Sequence, residues 1–122
     1  TDPASVYKNL NDVICYATFD DISTAGSQFV VPGIAGAITK ILIVIDNAIT
    51  SADAVLTFKI GGVLVTGGTL TVTQSGSAAG SVFSCSPSAA NVVTASQALE
   101  IISDGASSTT CKGKLTIVMD VA

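Results

Sequence analysis

Residues 37–74 read AITKILIVIDNAITSADAVLTFKIGGVLVTGGTLTVTQ. Apolar residues and Thr alternate through this stretch with the period of two that marks a strand. Turn signals interrupt the alternation at Asp46-Asn47, Gly61-Gly62 and Gly67-Gly68. The pattern predicts an antiparallel β-meander with strands over 37–45, 54–60, 63–65 and 69–74, and it has no reactive chemistry inside it.

The faces of these strands follow from parity. In 54–60, Ala54, Leu56, Phe58 and Ile60 point inward; in 69–74, Leu70 and Val72 do so and the Thr residues point out. Strand 37–45 differs. Ile38, Lys40, Leu42 and Val44 share one face, and Thr39, Ile41, Ile43 and Ile45 share the other. Both faces are apolar, as in a strand covered on both sides. A small sandwich covers one face with its own core, so the second is expected to meet a partner. Thr39, Ile41, Ile43 and Ile45 are the candidate contact residues.

Outward from this stretch, the signals remain those of short strands. Residues 1–12 read as an N-terminal arm, broken by Pro3, Asn9, Asn11 and Asp12, yet carrying Val6, Tyr7 and Leu10. Tyr7 and Leu10 join the candidate contact residues. Strand 13–19 places Val13, Cys15, Ala17 and Phe19 on one face and Ile14, Tyr16 and Thr18 on the other. A short strand is expected at 28–31 before Pro32-Gly33. The small-residue stretch 75–97 is too long for a structureless link, and 81–85 is expected to form a strand within it. Strands at 98–103 and 112–121 complete the chain. Seven or eight short strands with no helical pattern predict an all-β domain over 13–122. Its expected form is a compact antiparallel β-sandwich, jelly-roll-like or Greek-key.

Composition limits the chemistry. The chain has 122 residues, one domain by length, with no His, Arg or Trp and five Lys and Arg combined. Charged residues make up 11%, against about 25% in ordinary soluble domains. With 48% hydrophobic residues, self-association or docking on a larger body is the simplest way to cover the apolar surface. Net charge is −4, which disfavours a nucleic-acid partner. The run Ile41 to Ile45 is far shorter than the roughly 20 residues of a membrane span. The opening TDPASVYKNLNDV has no apolar core of the signal-peptide kind.

Catalytic groups are scarce. Without His, a Ser or Cys nucleophile has only Lys or a carboxylate as base. Asp20, Asp21, Asp46, Asp53, Glu100, Asp104 and Asp120 fall at expected loops or strand ends, where Asp caps turns. Asp46, Asn47 and Asp53 bracket one loop and could share a Ca²⁺ ion, but match no defined calcium motif. No enzyme, metal or cofactor is expected. Cys15, Cys85 and Cys111 are an odd set; they read as small buried hydrophobes, with a Cys85–Cys111 disulfide as the alternative. Tyr7, Tyr16, Phe29 and Phe83 are the aromatics free for a binding surface; Phe19 and Phe58 fall on core faces.

Three segments carry a resemblance. Residues 38–50, residues 52–61 and residues 68–80 (GTLTVTQSGSAAG), followed by the pairing of PSAAN at 87–91 with ALEI at 98–101, resemble small capsid decoration, or cement, proteins of tailed bacteriophages. The resemblance covers roughly residues 13–121. It implies a β-sandwich that assembles as a homotrimer on the outer capsid surface of a virion, after synthesis in the host bacterial cytoplasm. The implied partner is the major capsid protein, and the implied role is to stabilise the shell by bridging its subunits. Two other readings fit the composition: a ligand- or glycan-binding sandwich module, and a surface-layer or fibre subunit.

Overall fold

A computed structural model describes residues 12–121 and shows ten strands, with no helix among the described residues. In chain order these are β1 (Asp12–Phe19), β2 (Gly26–Val30), β3 (Gly36–Ile45), β4 (Ala54–Ile60), β5 (Val63–Leu64), β6 (Leu70–Val72), β7 (Val82–Cys85), β8 (Val92–Val93), β9 (Leu99–Ser103) and β10 (Gly113–Asp120). They form two antiparallel sheets. One runs β1-β10-β3-β7, with β8 also on β3; the other runs β2-β9-β4-β5, with β6 also on β4.

The pairing follows one rule. β1 pairs with β10, β2 with β9, β3 with β7 and β8, and β4 with β5 and β6. The chain is therefore a long antiparallel ribbon, folded back on itself near β5 and wound so that successive rungs fall in alternate sheets. The result is the compact antiparallel β-sandwich expected from the sequence. The arm boundary expected at residue 12 falls inside β1, and Tyr7 and Leu10 lie outside the described residues.

The meander expected over 37–74 is corrected by this winding. β3 does not pair with β4; it pairs with β10, seventy-two positions away at Ile43↔Leu115. The eight residues between β3 and β4 carry the chain from one sheet to the other, with Ile49 buried beneath them. Only the Gly61-Gly62 turn makes a tight hairpin. Both glycines have positive φ (58° and 81°), the geometry that joins Ile60 to Val63 in a two-residue loop. A further difference lies in 75–97, where β8 forms as well as β7; the ten strands exceed the seven or eight expected.

The core lies between the sheets. Rows of inward side chains cross the first sheet: Cys15, Ile117, Ile41 and Cys85 in one row, and Ala17, Leu115, Ile43 and Phe83 in the next. Leu56, Phe58, Leu70, Val72, Leu99 and Ile101 face them from the second sheet. A β-bulge shapes β3. Met119 faces Ile38 while Val118 faces Lys40, so Thr39 is the extra residue. Its hydroxyl donates to the Val118 carbonyl at 3.3 Å. The bulge shifts parity by one, which lets Ile38 and Ile41 both enter the core although they are three positions apart, an odd offset.

Candidate functional site

The outer face of the β1-β10-β3-β7 sheet is built from the alternate residues of the same strands. Tyr16, Thr116, Leu42 and Ser84 form one row across it. Thr18, Lys114, Val44 and Val82 form the next, and Ile14, Val118 and Lys40 the one beyond. Tyr16 is 73% exposed, Val82 59% and Ile14 43%. No other described element covers this face. It is a mixed surface, apolar at Ile14, Tyr16, Leu42, Val44, Val82 and Val118, with Lys114 and Lys40 in the two outer rows of the three. Such a surface can bury apolar area against a partner.

This placement corrects the expected contact set. Ile41, Ile43 and Ile45 are 0–1% exposed and form the centre of the domain core. The two faces of β3 are apolar for different reasons: one packs against the other sheet, and the other is left open. Thr39 is exposed, but through the bulge rather than by sharing a face with the isoleucines. The contact-capable residues of β3 are Leu42 and Val44. The sequence carried the signal for their neighbours, since Ile14 and Tyr16 fall opposite the core face of β1 by simple alternation. What it lacked was any sign of which β3 face met the second sheet.

The carboxylates are engaged in holding loops. The Asp21 carboxylate accepts from Ser23 Oγ at 2.6 Å, Ser23 N at 3.0 Å, Thr24 Oγ1 at 3.1 Å and Cys111 N at 3.1 Å. The Ser23 hydroxyl is the main cause that holds its pKa below the ordinary carboxylate value, assisted by the Cys111 and Ser23 amides and the Thr24 hydroxyl against partial desolvation. Asp46 accepts from Lys112 N, Asp53 from Gln74 N, and Asp104 from Val55 N and Ala106 N. Asp46 and Asp53 thus fasten different segments of the chain. Among the described residues no group of three or more His, Cys, Asp or Glu side chains could hold a metal.

A shallow depression of about 290 Å³ lies over the β1–β2 loop, with Phe19, Asp20, Thr24 and Gln28 in its walls. Asp20 and Gln28 clasp each other there, backbone to side chain and side chain to side chain. The three cysteines are free thiols, so Cys85 and Cys111 do not pair. Burial pushes the Cys85 thiol up to about 11 and raises Cys15 and Cys111 as well. A thiol so raised stays protonated near neutrality and is a poor nucleophile.

No protein-family model matches this chain, and no curated protein matches it. Among solved structures it is similar to a chain of the cyanophage Pam1 capsid asymmetric unit. The two are 16% identical, the match covers 92% of this chain and 86% of that one, and the TM-score is 0.48.

Proposed function

We propose that the chain is a capsid decoration protein, which binds the outer surface of a phage head as a trimer and stabilises the shell by bridging capsid subunits. The observation that carries this reading is the open outer face centred on Tyr16, Leu42, Val44 and Val82. A cementing protein needs area and shape complementarity, and here the carboxylates of Asp21, Asp46, Asp53 and Asp104 serve loop hydrogen bonds. The resemblance of residues 38–101 to phage cement proteins supports the same reading. Binding an assembled shell, and not its dispersed subunits, stabilises the shell by mass action. Three-fold placement would multiply weak contacts through effective concentration. The test is to quantify the chain on purified virions by mass spectrometry and to heat heads with and without it. The reading predicts stoichiometric copies and a higher disruption temperature for decorated heads. Absence from virions, or equal disruption temperatures, would overturn it.

A further inference from the structure

We propose that β1 is a strand-addition edge, and that residues 1–11 of a second copy of this chain pair along it; this rests on the self-associating part of the function proposed above. β1 lies at the outside of its sheet, and β10 is its one strand partner among the described residues. It runs eight residues, DVICYATF, in one-to-one register with no bulge and with no Pro, Gly or Lys. The other outer edges are blunted. The far side of β3 is shared by β7, of four residues, and β8, of two. The far side of β4 is shared by β5, of two residues, and β6, of three. β2 has five residues and starts at Gly26. Sheets ordinarily protect an edge by shortness, Pro, Lys or a bulge. β1 carries none of these devices, and its outward flank is the apolar pair Ile14 and Tyr16. Its chemistry is that of an acceptor for an extended segment with apolar side chains.

The chain itself supplies such a segment. TDPASVYKNLN directly precedes Asp12, the first residue of the edge strand, in the sequence. Fully extended, these residues reach about 37 Å, against about 27 Å for β1. Val6 and Tyr7 are strand formers, and Val6, Tyr7 and Leu10 can meet the flank at Ile14 and Tyr16. Every copy carries one segment and one open edge, so donation from each copy to the next uses all of both. Such a head-to-tail relation gives a ring, as a trimer requires, where the rotation between copies closes, and an open filament where it does not.

The test compares the full chain with a full-length variant carrying Val6→Pro and Tyr7→Pro. Adjacent prolines remove a backbone donor whichever of the two faces the edge, and leave the described domain untouched. Light scattering across a dilution series gives the mass, and hydrogen exchange reads the β1 amides. We expect the wild-type mass to be a multiple of 12.1 kDa and the variant to be a single chain. We also expect β1 amides to exchange at least about tenfold faster in the variant, with β3 and β10 unchanged. A wild type of single-chain mass overturns the proposal, whether its β1 is protected by its own segment or not. A variant that keeps the wild-type mass also overturns it, because association then uses another surface. Binding of both chains to phage heads is measured separately. Arm-dependent assembly without head binding would uphold this inference and overturn decoration, and head binding by a monomer would do the reverse.

Discussion

The backbone N–H of Cys111 donates to the carboxylate of Asp21 at 3.1 Å, joining residues ninety positions apart. The return bond runs from Ile22 N to the Cys111 carbonyl at 2.8 Å. Together they tie the β1–β2 loop to the segment entering β10, at one end of the sandwich. A hydrogen bond to a charged group contributes about 1.5–3 kcal/mol, and Asp21 accepts several. Asp21→Ala should therefore lower stability by about 2 kcal/mol in urea unfolding. A loss below about 0.5 kcal/mol would show that water replaces these bonds without cost.

The same carboxylate sets a pH dependence. Its folded pKa lies below the unfolded value, near 3.9. Its contribution is therefore complete above that value and is lost as pH falls through the lower, folded one. Thermal unfolding from pH 7 down to pH 2 should show Tm falling below about pH 4. In Asp21→Asn the acid-side fall should be shallower, starting from a lower Tm at neutral pH. Parallel curves for the two proteins would assign the acid sensitivity elsewhere.

The two faces of the β1-β10-β3-β7 sheet should respond differently to truncation. Ile43 is fully buried, so Ile43→Ala should cost about 2–5 kcal/mol through lost burial and the cavity left behind. Tyr16→Ala, on the open face, should stay within about 0.5 kcal/mol. Urea midpoints for both variants check this. Equal losses would mean that the outer face is already packed in the isolated chain.

Gly105 has φ +67°, and a Cβ built there would lie 2.5 Å from the backbone nitrogen of Ala25. Both the left-handed backbone and the close approach exclude a side chain. Gly105→Ala should destabilise by more than about 2 kcal/mol, measured by calorimetry. A Tm within a degree of wild type would show that the Ala25 loop moves aside freely.

Thiol chemistry gives a further check on the core. With its pKa raised to about 11, Cys85 should react at pH 8 on the order of 10²-fold more slowly than an exposed thiol. All three cysteines should react at ordinary rates in denaturant. Fast native labelling of Cys85 would place β7 away from β3.

Much of this was legible in residues 54–72, because local alternation and a two-glycine turn specify a hairpin without reference to the rest of the chain. Ala54, Leu56, Phe58, Ile60, Leu70 and Val72 point into the core as their parity requires. The site was less legible for two physical reasons. The bulge at Thr39 inserts one residue and inverts the parity between Ile38 and Ile41, with no turn residue to mark it. The pairing of β3 with β10 is set by the winding of the whole ribbon, so a nine-residue stretch with two apolar faces cannot disclose which one meets the second sheet. Tyr16 and Ile14 were placed correctly on the non-core face of β1; their membership in one surface with Leu42, Val44 and Val82 needed the topology.

The central claim is that the outer face of the β1-β10-β3-β7 sheet is the docking surface of a capsid decoration protein. Its most direct test is cosedimentation of the full chain with undecorated phage heads, beside a variant with Tyr16→Asp and Val44→Asp. The account predicts saturable binding by wild type, and at least about tenfold weaker binding by the variant at unchanged Tm. Equal binding of the two proteins, or no binding by wild type, would contradict it.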